Sequence, residues 1–119
     1  MANQWSVQNT PLAATQATIT KAAVAGFRHV CDSITATIAC NATAQTPIQV
    51  VLRDGLTGAG AILWSAKLAA PVNGQAKAEM NGLGISGTSG SAMTLEFVGA
   101  GAAATEQAVT MVGYDLPSS

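Results

Sequence analysis

The side chains able to do chemistry are few, and they do not converge in the sequence. His29 is the one histidine, and Cys31, Asp32 and Ser33 follow it within the same short stretch. A histidine, an acid and a hydroxyl this close suggest a nucleophile–base–acid relay, which needs the three hydrogen-bonded in series. Residues 27–40 read as one β-strand, however, and side chains on a strand alternate faces. Asp32 then points away from His29 and Ser33, so no relay forms locally. His29 and Cys31 share a face, but two donors fall short of the set that holds a metal. Asp54, Glu79, Glu96, Glu106 and Asp115 show no paired spacing for acid–base work, though a distant pair could meet in the fold. The expectation is a chain that is not an enzyme and carries no metal or cofactor.

Two glycine-rich stretches imitate phosphate-binding loops. Gly99-Ala100-Gly101-Ala102-Ala103-Ala104 matches G-x-G-x-x-A after a strand. That motif works only when a helix follows and aims its N-terminus at the pyrophosphate. The residues after Ala104 read as a strand instead. Gly55-Leu56-Thr57-Gly58-Ala59-Gly60 lacks the Gly-Lys-Ser/Thr of a phosphate loop, so its glycines are turn glycines. Asn41-Ala42-Thr43 matches a glycosylation acceptor, which matters only in a secreted eukaryotic chain. Cys31 and Cys40 lie on one strand with an odd separation, hence on opposite faces unless a bulge intervenes. An extended span of that length is ~30 Å, far beyond disulfide reach. Free thiols are expected, in keeping with a reducing compartment.

Charge is scarce. Asp, Glu, Lys and Arg make up 9% of the 119 residues, against about 25% in an average protein. Apolar residues reach 49% but aromatics only 4%, so Ala, Gly, Thr and Ser must cover much of the exterior. A free monomer keeps charge outside for solubility; a charge-poor exterior therefore points to protein partners. Lys21, Arg28, Arg53, Lys67 and Lys77 are spread along the chain. Nucleic-acid backbones require clustered cations, so no nucleic-acid partner is expected. No apolar run approaches the ~20 residues of a membrane span. Residues 1–4 lack a charged region leading into an apolar one, so synthesis in a cytoplasm is expected.

The elements that must position these groups are strands. Residues 47–68 hold two β-prone runs around an Asp-Gly step and three glycines, a hairpin pattern. Ile48, Val50 and Leu52 face inward, and Trp64 is the largest core candidate. The tip, residues 54–60, is expected to be mobile and to order only against another subunit. Residues 27–40 alternate cleanly with Val30, Ile34, Ala36 and Ile38 on one parity; Asp32 breaks that parity and predicts a bulge. Further strands are expected at 15–21, 75–85 (irregular), 93–98 and 107–114. The prediction is all-β: a single-domain antiparallel β-sandwich over 1–119, jelly-roll-like, with about eight strands. Residues 1–11 are expected as a short N-terminal arm, their strand being a sheet edge or a contact for a neighbour, and residues 115–119 as a C-terminal tail. Core anchors are Val30, Ile34, Ile38, Val50, Leu52, Trp64, Leu95 and Phe97; candidate partner contacts are Trp5, Val7, Leu56, Thr57 and Tyr114.

Several runs, read together in order, carry a resemblance. They are Ala22-Ala23-Val24-Ala25-Gly26-Phe27-Arg28-His29-Val30-Cys31, Val51-Leu52-Arg53-Asp54-Gly55, Ile62-Leu63-Trp64-Ser65, Gly90-Ser91-Ala92-Met93-Thr94-Leu95-Glu96-Phe97 and Val112-Gly113-Tyr114-Asp115. This order resembles small β-rich virion proteins of tailed bacteriophages, among which the nearest functional class is the capsid decoration or cement proteins. The resemblance implies a homotrimer or other homo-oligomer that binds the phage major capsid protein on the outside of the head. It implies no active site and no particular binding residue. Other virion roles (tail, baseplate or head fibre) and a carbohydrate-binding sandwich are the alternatives.

Overall fold

The structure is a computed structural model and describes residues 3–40, 47–101 and 105–117. Nine strands form: β1 (Asn3–Asn9), β2 (Thr18–Lys21), β3 (Phe27–Cys40), β4 (Ile48–Asp54), β5 (Ala61–Leu68), β6 (Gln75–Met80), β7 (Ile85–Ser86), β8 (Met93–Phe97) and β9 (Thr105–Pro117). Among the described residues there is no helix. One sheet runs β1-β9-β3-β6 with β7 also on β3, and the other runs β2-β8-β4-β5. Every pairing is antiparallel. The pairs nest: β1 with β9, β2 with β8, β3 with β6, β4 with β5. Rolling this long ribbon adds β9 to β3 and β8 to β4, which is the jelly-roll way of making two sheets from one hairpin. The chain is an all-β antiparallel sandwich.

Three sequence expectations are decided by the pairings. Residues 75–85 form two strands, not one irregular strand. Gly82 and Gly84 take left-handed φ of 67° and 61°, turning the chain out after Met80 and returning it to β3 opposite Val30 and Cys31. Of the two readings of the N-terminal strand, sheet edge or arm, the edge holds: β1 ends its sheet and pairs along its whole length, from Asn3 opposite Asp115 to Asn9 opposite Val109. No tail starts at residue 115, since Pro117 still stands opposite Phe27. Residues 41–46, expected as a loop and carrying the Asn41 acceptor motif, and residues 102–104 lie outside the described residues.

The core lies between the sheets. Ile34, Ala36 and Ile38 from β3, Val50 and Leu52 from β4, Met93, Leu95 and Phe97 from β8, and Val109 and Met111 from β9 are all fully buried in it. The register of β3 against β9 slips between Cys31 and Ser33, the bulge that Asp32 signalled. Because a bulge shifts side-chain parity, Cys31 joins Ile34 and Cys40 in the core while Val30, though buried, stands outside that cluster. The two thiols therefore face the same side, not opposite ones; both are free. Trp64 is only half-buried. It sits on β5, the edge of its sheet, and packs only partly buried against the core, while Phe97, fully buried, is the aromatic centre of the core instead.

Candidate functional site

Two clusters of buried ionisable groups are candidates for chemistry. The first closes one end of the sandwich. His29 on β3 stands opposite Asp115 on β9, and the two are 1% and 5% exposed. His29 Nδ1 lies 2.5 Å from Asp115 Oδ1. The same oxygen accepts a bond from Trp5 Nε1 at 2.7 Å. Trp5 reaches it by lying across Gly113, its partner in the register. A Cβ at position 113 would come within 2.7 Å of the indole and collide with the Val30 carbonyl. The Trp5 ring meets the His29 ring edge-on at 5.8 Å, and Lys21 Nζ hangs 5.9 Å from its centre.

This couple resembles the acid–base half of a catalytic relay, but its second nitrogen is taken. His29 Nε2 donates to the Ala22 carbonyl at 2.7 Å, and a carbonyl can only accept. No ring nitrogen faces a hydroxyl or thiol, as a general base for a nucleophile must. The cluster acts as a clamp instead. It ties β1, β3 and β9 to the connection that crosses from one sheet to the other. Asp32 and Ser33 take no part: Asp32 is bulged out and exposed, and its carbonyl accepts from Leu83 N at 2.8 Å.

The second cluster lies on the outer face of the β2-β8-β4-β5 sheet. Alternation aims Glu96 and Thr94 away from the core, toward water, yet they are 2% and 0% exposed. The β4–β5 hairpin tip folds back over them. Thr94 Oγ1 donates to Gly55 O at 2.8 Å. Glu96 accepts from Arg53 Nε at 2.8 Å, Gly58 N at 2.9 Å and Thr18 Oγ1 at 3.3 Å, and from the Thr57 hydroxyl. Burial pushes the Glu96 carboxyl up, but donation from Thr57, Gly58, Arg53 and Thr18 outweighs it and holds the group below its ordinary value. A second latch joins the tip's base to the β7–β8 loop, where Asp54 accepts from Thr88 N at 3.0 Å and Thr88 Oγ1 at 2.5 Å. Burial raises Asp54 too, and Thr88 and Ser91 more than reverse it, so it also lies low. Gly60, at φ 78°, permits the return, because a side chain there would strike the Asp54 backbone. The tip thus orders against its own sheet within a single chain.

The remaining expected site residues are placed as follows. Val7 packs partly buried against the core beside Trp5, so neither is the free contact expected of an arm. Tyr114 is half-buried. Leu56 is 63% exposed at the crest of the tip, while Thr57 points its hydroxyl down to Glu96. Burial, then the nearby Asp32 charge, pushes the Cys31 thiol up to about 12, so it is inert as a nucleophile. An open groove of about 330 Å³ is lined by Ala39, Cys40, Asn73, Gly74 and Gln75; it offers no acid, base or aromatic surface. Among the described residues no three His, Cys, Asp or Glu side chains converge as metal ligands would. Sequence reasoning missed both clusters. The signal for the second was faint: an acid inside an otherwise apolar strand, with threonines and a glycine turn to supply donors.

No protein-family model and no curated protein matches the chain. Two solved structures are among those similar to it. One is of Bacillus endospore appendages, described as a novel family of disulfide-linked pili: 16% identity, TM-score 0.42, over 98% of this chain and 88% of that one. The other is a family 11 carbohydrate-binding module from Clostridium thermocellum in complex with a β-1,3-1,4-mixed-linked tetrasaccharide: 9% identity, TM-score 0.32, over 98% and 84%. At these scores neither likeness bears on function.

Proposed function

We propose that the chain is a structural protein of a bacteriophage virion, a capsid decoration protein. In this reading it self-associates, as a trimer or another homo-oligomer, on the outside of the head and braces the major capsid protein. The resemblance carried by the runs around His29, Trp64 and Glu96 supplies the class. The observation that carries the reading is the exterior. Among the described residues nine large apolar side chains are exposed, Leu12 at 85% and Leu56 at 63% among them, against five charged ones, Asp32, Lys67, Lys77, Glu79 and Glu106. Interface cores are likewise apolar and depleted of charge. The buried His29, Asp115 and Glu96 and the partly buried Arg53 support it too, since they are engaged by internal partners and strengthen a scaffold.

A carbohydrate-binding module is less well supported. Sugar platforms use exposed aromatic faces, and all five aromatic side chains here are half-buried or buried. Quantitative mass spectrometry and cryo-microscopy of virions from the encoding phage test the proposal. Hundreds of copies outside the head are expected. A handful of copies in the tail would move the chain to the tail or baseplate role, and absence from virions would overturn the virion reading.

A further inference from the structure

Among the described residues, and apart from the two-residue β7, the sheets end in four edges: β1 and β6 in one, β2 and β5 in the other. An edge strand leaves a row of N–H and C=O groups open to pairing with another chain. Its side chains decide which chain fits. β1 carries no charge, and β2 and β5 carry one lysine each, Lys21 and Lys67. β6 alone carries both signs: Lys77 and Glu79 are exposed on its outer face, while Ala76 and Ala78 pack inward against the core.

We propose that β6 is a homotypic docking edge, pairing antiparallel with β6 of a second copy about a two-fold axis through Ala78. In this register Lys77 stands opposite Glu79 of the second copy, and Glu79 opposite its Lys77. Ala78 meets Ala78, and Ala76 meets Met80, whose 38% exposure is then reduced. Opposite charges directly across a strand pair stabilise it and like charges oppose it. Slipping the register by two residues puts Lys77 on Lys77 or Glu79 on Glu79. A slip by one sets each charged side chain against an inward-facing residue and mismatches the two faces. The charge pattern therefore selects one alignment. The product is an isologous dimer in which the β1-β9-β3-β6 sheet continues across the axis.

Six residues of edge make an interface well below the ~1,200 Å² at the lower bound of standard stable complexes. The isolated pair is accordingly weak, and it gains occupancy where copies are held close together on a repeating surface. The inference does not rest on the virion reading; it needs only the edge and its charges.

The test is sedimentation equilibrium on the full chain, from micromolar to millimolar concentration, at low salt. The wild-type chain should show a concentration-dependent dimer. K77E and E79K should each weaken it by roughly ten-fold or more, because each turns two attractive pairs into repulsive ones. Mixing K77E with E79K should restore dimers, since an all-acidic edge then faces an all-basic one. Both changes are on exposed side chains, and circular dichroism confirms that the variants are folded. A wild-type monomer at millimolar concentration overturns the proposal. So do variants that self-associate like wild type, or a mixture that dimerises no better than its components.

Discussion

Replacing Glu96 with glutamine keeps the side chain's size and removes its charge. Each carboxylate oxygen takes two donors: Oε1 from Thr18 and Thr57, Oε2 from Arg53 and Gly58. An amide has only one acceptor oxygen. Threonine hydroxyls can rotate to accept, whereas a guanidinium and a backbone N–H cannot, so the amide nitrogen should settle on the threonine side. The bonds from Arg53 and Gly58 survive; the Gly58 bond loses charge assistance, about 1 kcal/mol, from ~1.5–3 to ~0.5–1.5 kcal/mol, while the Arg53 donor stays charged. Arg53 also loses its ion-pair partner in a largely buried setting, which adds about another 1 kcal/mol. Its side chain keeps 17% exposure, so the total should fall near 2 kcal/mol. Urea unfolding followed by tryptophan fluorescence at pH 7 measures it, and hydrogen exchange at the Gly58 amide should quicken as the tip loosens.

The pH dependence separates charge from shape. Folding holds Glu96 below its ordinary value of 4.5. Its contribution is therefore full above that value and is lost as pH falls through it toward the folded value. Acidification should narrow the gap between wild type and E96Q. Asp54 is also held low, but it is common to both chains and cancels in the difference. Equal stability at pH 7, or a gap unchanged by acid, would refute the latch.

Three further outcomes are expected. Gly113→Ala should lower stability by at least about 1–3 kcal/mol, because the new methyl strikes the Val30 carbonyl and displaces the Trp5 indole; in a Trp64→Phe background its emission should shift red, and an unchanged spectrum would contradict the clamp. Trp64→Ala should cost about 1–2 kcal/mol in urea unfolding, as suits a half-buried edge residue, whereas Phe97→Ala should cost about 3–5 kcal/mol; the reverse order would return Trp64 to the core. Cys31, with its thiol raised to about 12, should resist thiol reagents at pH 8 until the chain unfolds globally; fast reaction of the native protein would show an open path to it.

Strand positions were legible wherever apolar and polar residues alternate. In residues 27–40 and 93–97 the period of two marks Ile34, Ile38, Leu95 and Phe97 as inward, and all four are fully buried. Asp32 on the apolar parity announced the bulge, because an acid does not enter a core without a partner. Glycines marked most turns for the same local reason, steric freedom at positive φ. The destination of Trp5 was not legible. An alternating edge strand has the same pattern whether its tryptophan faces a neighbour or its own sheet, and Gly113 decides the matter from more than 100 residues away.

Composition and alternation by themselves determined an all-β sandwich with a charge-poor exterior, since composition needs no residue order and alternation depends only on near neighbours. Only the tertiary structure decided where the rare charges go. His29 finds Asp115 across 86 positions, and Arg53 finds Glu96 across 43. Residue order states no preference between such pairings until the ribbon is rolled and the tip of residues 54–60 turns back over its sheet. Glu96 is the clearest case. Its strand aims it at water, and a neighbouring loop supplies the donors that let it be buried as a carboxylate.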